Sequence, residues 1–429
     1  MQQILLTCLV LLVTGQTRAE KLEIFEHGLT WDQIKAKARV ENKYIFLDCF
    51  ATWCGPCKEM DREVYTDKSV GEFLNDHFIS VKVQMDTSKA DDQEVQSWYP
   101  LAHNIMKEYN LKSFPTYIFL SPEGNIVHKG IGFMDVEKFL KLLNQAINPE
   151  EQYYSLLETF HKQHLSYSIV PGLVKGLERI GEKDSAMNVA NWYIENYLLK
   201  LNGPDLFRKE NLRFVGSHIK SAHSQGFNWY YHHVPVIDNV MGKGYSTSVI
   251  DNSITKEVIT PMLLKWDSLG NYEVQKRDWA NLRGTIRKEY NDDYAKRIVL
   301  DAQIRWYSYK QQWDEMVYFH VKKIETYGLD ASEANVGTVN NIVYYVIFQH
   351  SKDKAAIDKA IKWMKIICEK YPQEQDYLDT YANLLYKKGE TQKAISLEEK
   401  AFSMNTRNDA EIIANMEKMK KGQPTWTSN

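Results

Sequence analysis

The sequence predicts a chain of two unlike parts. Residues 20–148 read as an α/β unit with a mixed central sheet flanked by helices, and residues 149–429 as an all-α, helical-repeat-like domain. Three observations predict this. Short β-prone runs alternate with helix-compatible stretches as far as Ala146, the pattern of a sheet covered by helices. After Ile147-Asn148-Pro149-Glu150 the apolar spacing becomes almost entirely helical. Near the end, small residues recur with a hint of a period of roughly 34 residues.

The chain opens on Ile4–Gly15, an apolar run of about a dozen residues, whereas spanning a bilayer takes roughly 20. It is read as the core of a signal peptide, residues 1–19, with cleavage after Thr17-Arg18-Ala19 and Glu20 as the new start. No later stretch approaches transmembrane length, so no integral membrane segment is expected after cleavage. Export places the protein in an oxidising compartment. Of the 5 cysteines, the processed chain keeps Cys49, Cys54, Cys57 and Cys368. That is too few for a disulfide framework, which makes Cys54 and Cys57 working residues rather than staples. The formal net charge of −3 gives no global basic field, and no nucleic-acid partner is expected. The 26 tyrosines and 11 tryptophans point to packed helical repeats or to a recognition surface.

In the first part, Tyr44–Phe50 is an apolar, β-prone run ending near the cysteine pair, and Cys57–Tyr65 is helix-compatible. Ile79–Met85 and Thr116–Leu120 read as further strands. Ser121-Pro122-Glu123-Gly124-Asn125 is a turn, Ile126–Lys129 the returning strand, and Val136–Ala146 a closing helix. Between Asp86 and Tyr109 an added segment containing Trp98-Tyr99-Pro100 reads as a surface helix.

In the second part, Gly226–Gly244 breaks the helical pattern and reads as an aromatic loop. Its adjacent His232 and His233 diverge and have no cysteine or carboxylate cluster at ligand spacing, so no metal site is read there. Gly242-Lys243-Gly244 is a turn rather than a phosphate loop. In Gln375–Asn408 small residues fall at Ala382, Gly389, Ala394 and Ala401, with Leu378, Tyr381 and Leu385 between them. This spacing resembles a tetratricopeptide repeat, placing repeat-like structure near residues 341–408 within a domain of stacked helical hairpins.

Cys54 and Cys57 lie three positions apart in Phe50–Met60 (FATWCGPCKEM). A structural zinc site needs a second pair of Cys or His, usually 12 to 20 residues away; no cysteine follows until Cys368, and His77 stands alone. A redox couple accounts for each residue. The strand delivers the chain to Trp53 and the helix begins near Cys54, so that thiol sits at the positive end of the helix dipole, where the thiolate is favoured. A thiol with pKa near 8.5 is only about 3% ionised at pH 7, and one near 7 about half ionised. Gly55 permits the tight turn, and Pro56 suits a first helical turn, where no backbone donor is needed. Cys57, one turn on, is placed to resolve a mixed disulfide.

Phe50–Lys58 (FATWCGPCK) resembles the active site of the thioredoxin fold family. The resemblance covers about residues 22–146. It implies that Asp48 is the buried carboxylate that deprotonates the resolving thiol, with Lys82 the lysine near it. It also implies that Phe114-Pro115-Thr116 is the cis-proline loop facing the disulfide, and that Gly132 belongs to the substrate groove. Trp53, Gly55, Pro56, Phe114, Pro115, Thr116 and Gly132 are then expected to contact substrate, beside Cys54, Cys57, Asp48 and Lys82 as the chemical groups. Glu63–Phe78 and Gly132-Phe133-Met134-Asp135 are similar to the C-terminal periplasmic domain of the membrane reductase DsbD and its soluble relatives, although no membrane domain is read in this chain.

The family needs no cofactor beyond the Cys54–Cys57 disulfide, and no metal is expected. Gly55-Pro56 resembles the reducing end of the family. The expected function is reduction or isomerisation of disulfides in extracytoplasmic proteins, with the helical domain choosing or positioning the partner. A periplasmic or secreted location and a membrane electron donor follow from that reading, and the C-terminus carries no ER-retention signal. The rival functions are a thiol oxidase and a non-enzymatic scaffold. Cys49, beside Asp48 on a strand, is expected on the opposite face as a buried, inert thiol, and Cys368 in a helical core.

Overall fold

A computed structural model of the chain describes residues 23–162, 165–404 and 409–426. The expected signal peptide, residues 1–19, lies outside the described residues. The chain divides into two compact units, Met1–Lys220 and Ser221–Asn429.

The first unit is built on a four-stranded mixed sheet of order β2-β1-β3-β4. Its strands are β1 (Tyr44–Phe50), β2 (Phe78–Gln84), β3 (Thr116–Leu120) and β4 (Ile126–Ile131). β1 runs parallel to β2 and antiparallel to β3, and β3 is antiparallel to β4. The run YIFLDCF forms a strand because alternate residues find apolar partners on both faces of the sheet. Ile45, Leu47 and Cys49 pack with Ile34, Ala38, Ala102 and Ile105, which come from α1 (Trp31–Glu41) and α4 (Gln93–Glu108). Phe46 packs on the other face with Met60, Leu74 and Phe139. These follow α2 (Gly55–Glu59) or belong to α3 (Lys68–His77) and α5 (Val136–Ile147). The segment after β2 is thus a loop and the helix α4, which Asp92 caps at Val95 N. α2 passes into one π-helical turn, Met60–Val64, closed by Tyr65 N donating to Met60 O.

Packing continues beyond the landmark at Ile147–Glu150. α6 (Tyr153–His161) lies against β4, and α7 (Val170–Arg179), α8 (Lys183–Asn196) and α9 (Lys209–Ser217) complete the unit. Tyr153 N donates to His128 Nδ1 at 3.1 Å, Arg179 donates to the Tyr153 hydroxyl at 2.7 Å, and Lys129 pairs with Glu182 at 3.5 Å. Burial, helped by the Arg179 charge, pushes His128 down to about 3, so it serves as a neutral acceptor in this contact.

The second unit is largely helical. Two features depart from the sequence reading. Gly226–Gly244 is not a loop: it forms helices Gln225–His232 and Val234–Met241. Ser224 caps the first by accepting from Phe227 N, Phe227 and Tyr230 turn into the core, and Pro235 sits in the first turn of the second, where its missing N–H costs nothing. Leu264–Trp266 and Tyr272–Val274 form a short antiparallel hairpin, too brief to read from alternation. Farther on, Gln375–Lys388 and Thr391–Ser403 form a helical hairpin whose turn is Gly389, with φ of 95°. Ala382, Ala394 and Ala401 are fully buried there, which lets the helices approach closely. Cys368 is buried beside Leu378 and Ile412.

Candidate redox site

β1 delivers the chain through Ala51 and Thr52 to Cys54, which occupies the N-cap of α2 with extended backbone. Cys54 and Cys57 are joined as a disulfide with a Cα–Cα distance of 5.4 Å. Cys54 Sγ also accepts from Cys57 N at 3.2 Å. Both sulfurs are nearly sealed, the residues being 3% and 4% exposed, and they pack with Ala51, Phe50 and Phe114. Trp53, in contrast, is 71% exposed and meets Phe114 edge to face at 6.0 Å. Gly55 and Pro56 are exposed on the same turn.

The Phe114–Pro115 peptide is cis. Pro115 O accepts from Gly132 N at 2.8 Å, so the two loops form one ledge. Gly132 has φ of 87°, a conformation that L side chains avoid, and its carbonyl accepts from the buried Tyr117 hydroxyl at 3.2 Å. Thr116 is buried, its hydroxyl donating to Ser113 O. The residues the sequence assigned to substrate contact therefore fall in two connected groups, Trp53-Phe114 and Pro115-Gly132.

Asp48 is 2% exposed and lies on the sheet face opposite Cys49. Burial drives its carboxyl up to about 7; the Lys82 charge opposes that rise and the Asp61 charge adds to it. Asp48 and Lys82 are direct partners across the β1/β2 ladder, and their charged ends stand 4.0 Å apart. Lys82 is not reserved for Asp48, because its ammonium also donates to Asp61. It lies over the Phe50 ring at 4.8 Å as well. The Tyr65 hydroxyl neighbours Asp48 and works against the rise in its pKa. A cavity of about 510 Å³ lined by Phe25, Asp61, Tyr65 and Lys82 opens on this side.

Two contributors escaped the sequence reading. Asp61 stands four residues after Cys57, one helical turn on and hence on the same face; that spacing was the available signal. Asp86 accepts from Thr52 N at 2.9 Å and from the Thr52 hydroxyl at 2.5 Å, anchoring the loop just before Trp53. No spacing rule marks that contact. Cys49 is fully buried, and desolvation holds its thiol far above the usual range, which makes it inert. Among the described residues, no group of three or more His, Cys, Asp or Glu is placed to hold a metal ion.

Over its first part the chain is similar in sequence to known proteins. Residues 31–147 match the family described as a thioredoxin-like domain. The thiol:disulfide interchange protein DsbD of Actinobacillus pleuropneumoniae serotype 5b is 25% identical over 143 residues, 31% of this chain and 23% of that protein. DsbD of Ralstonia nicotianae is 29% identical over 117 residues, 27% of this chain and 17% of that protein. Among solved structures, a putative disulphide-isomerase from Bacteroides thetaiotaomicron is 29% identical. It covers 28% of this chain and 89% of its own, with a TM-score of 0.24. The reduced C-terminal domain of Neisseria meningitidis DsbD is 20% identical, covers 27% of this chain and 90% of its own, and has a TM-score of 0.22. The chain thus spans less than a quarter of the length of these DsbD relatives. It carries a thioredoxin-like domain homologous to part of DsbD, followed by a largely helical region.

Proposed function

We propose that the chain is an exported thiol–disulfide oxidoreductase that reduces or isomerises disulfides in extracytoplasmic proteins, and that its helical region selects or positions the partner. One observation carries this reading: the Cys54–Cys57 couple at a helix start, with a buried carboxyl held near neutrality on the preceding strand.

In the reducing direction the Cys54 thiolate attacks one sulfur of a client disulfide. A mixed disulfide forms and the first client thiolate leaves. Asp48, as carboxylate, is the base assigned the proton of Cys57, and the Cys57 thiolate attacks Cys54 Sγ. The Cys54–Client bond breaks, the second client thiolate leaves, and two electrons have passed from the couple to the client. Asp48 suits this role because a base titrating near the working pH both accepts and returns a proton. Trp53 and Phe114 offer an exposed aromatic edge, and the Pro115–Gly132 ledge borders the couple.

Regeneration needs a dithiol donor, for which a membrane protein is proposed. The direction is tested by equilibrating the full chain in glutathione or dithiothreitol buffers and trapping free thiols. A potential between about −270 and −180 mV supports a reductant or isomerase, whereas one near about −120 mV makes the protein an oxidase and overturns the direction. Failure of the intramolecular disulfide to form removes the enzymatic reading.

A further inference from the structure

A short segment, residues 23–28, runs along the Asp48 side of the redox site. Glu26 N donates to Ser80 O at 2.8 Å, Asn75 donates to Glu23 O at 3.2 Å, and Lys37 pairs with Glu26. The segment is thereby fastened to the edge strand β2, to α3 and to α1.

Phe25 is the residue by which this segment reaches the site. Half-buried, it meets Tyr65 edge to face at 5.2 Å and the Phe46 ring at 6.3 Å. Phe46 and Asp48 are two residues apart on β1 and so share a sheet face. The Lys82 ammonium, 4.0 Å from Asp48, lies 5.6 Å from the centre of the Phe25 ring, 4.8 Å from that of Phe50 and 5.8 Å from that of Tyr65. All three are within cation–π reach. Three rings therefore surround a cation that also serves two acids, Asp48 and Asp61. The other titratable groups near Asp48 are Tyr65 and its β3 ladder partner Tyr117, and Glu23 and His27 line the same cavity of about 510 Å³ as Phe25.

We propose that Phe25 is a positioning residue of the redox site: it closes the Asp48 side of the sheet against water and holds the Lys82 ammonium within reach of both acids. The inference rests on the redox reading for its consequence in exchange, but not for its effect on Asp48 itself. Burial is the main cause of the raised Asp48 carboxyl. Cutting Phe25 away therefore acts more through the water it admits than through the ring lost from Lys82, and ionisation becomes easier.

The test follows the Asp48 carboxyl by NMR of the full chain with isotope-labelled aspartate carboxyls, D48N assigning the signal. The wild-type midpoint is expected at about 7. F25A should lower it by at least about one pH unit, and F25Y, which keeps the ring, should restore it. The inflection in the pH profile of thiol exchange should follow both. F25Q keeps more of the side chain but brings a hydrated amide; it should shift the midpoint the same way and decides the question if F25A does not fold. One midpoint common to wild type, F25A and F25Q would overturn the proposal. So would a fall as large in F25Y as in F25A, because the ring would then not be what seals the site. A midpoint that falls while exchange shows no matching inflection supports the sealing by Phe25 and overturns the role of Asp48 as base.

Discussion

Asp48 in the first unit and Glu398 in the second are both buried carboxyls, 2% and 0% exposed, yet their surroundings differ in kind. Asp48 stands 4.0 Å from the Lys82 ammonium, on the flank of a cavity that Lys82 and Asp61 line. Glu398 faces Asp379 in the interior, and Asp379 is itself held by Asn383 at 2.9 Å and Asn415 at 3.0 Å. Burial first and the Asp379 charge second push Glu398 far above the ordinary carboxyl range. It therefore stays a neutral acid at physiological pH, while Asp48 titrates near 7. Burial alone does not make a working group. The difference lies in a cation within reach, a polar opening, and a redox couple on the strand's own continuation.

The sharpest break between the two regions comes from the cysteines. C54S should abolish thiol–disulfide exchange, because it removes the attacking sulfur. C57S should retain attack but accumulate a mixed disulfide with the client, visible as a reductant-sensitive adduct on a non-reducing gel. Neither variant should alter the fold of the second unit, which circular dichroism would report. An unchanged exchange rate in C54S would remove the couple from the mechanism altogether.

Asp48 comes next. A carboxyl whose folded pKa is raised from about 3.8 to about 7 favours the folded state fully below its unfolded pKa and loses that advantage as pH rises through the folded one. By pH 8 the loss approaches about 4 kcal/mol. D48N should therefore raise stability at pH 8 by up to about that amount in urea unfolding. It should also slow resolution of the mixed disulfide by at least about tenfold and erase the inflection near pH 7. A variant more stable yet fully active would show Asp48 to be packing, like its counterpart in the second unit.

Glu398 gives the contrasting case. Its raised pKa has the same sign, so the wild-type chain loses stability as pH rises from the unfolded value upward. E398Q should flatten that dependence and add up to about 3 kcal/mol at pH 7, with the Asp379 carboxylate beside it as an acceptor for the amide. Thiol exchange should not change. A loss of exchange would tie the two units together functionally and would end the contrast.

The legible and illegible parts of the molecule follow the same physical divide. β1 to β4 could be read because their apolar runs satisfy both sheet faces locally, and Cys54, Cys57 and Pro115 because a short motif carries their chemistry. Asp61 carries one signal, its place one turn after Cys57, but an acid on an exposed helix face otherwise looks like any solvated residue. Its meaning comes from the register that sets Lys82 opposite Asp48. The helices Gln225–His232 and Val234–Met241 were hidden for a related reason. Each is 8 residues long, too short to be stable alone, and is held by tertiary packing that a local reading of glycines and aromatics does not contain.

Asp61 is where the smallest effect carries the finest information. Its charge raises the Asp48 pKa directly, and its ion pair draws the Lys82 ammonium away from Asp48. D61N removes the repulsion and leaves Lys82 a single acid to face, so both consequences lower the Asp48 pKa. Asp61 is 44% exposed in its side chain, and pairs in such positions are worth about 1 kcal/mol or less. The inflection in the pH profile of exchange should accordingly move to lower pH by less than about one unit. K82M should move it the other way, because the charge that favours the Asp48 carboxylate is gone. Opposite shifts in the two variants identify Lys82 as a cation shared between two acids, which Glu398 lacks. Shifts in the same direction would mean that the variants act through backbone rearrangement, and burial alone would then have to explain Asp48.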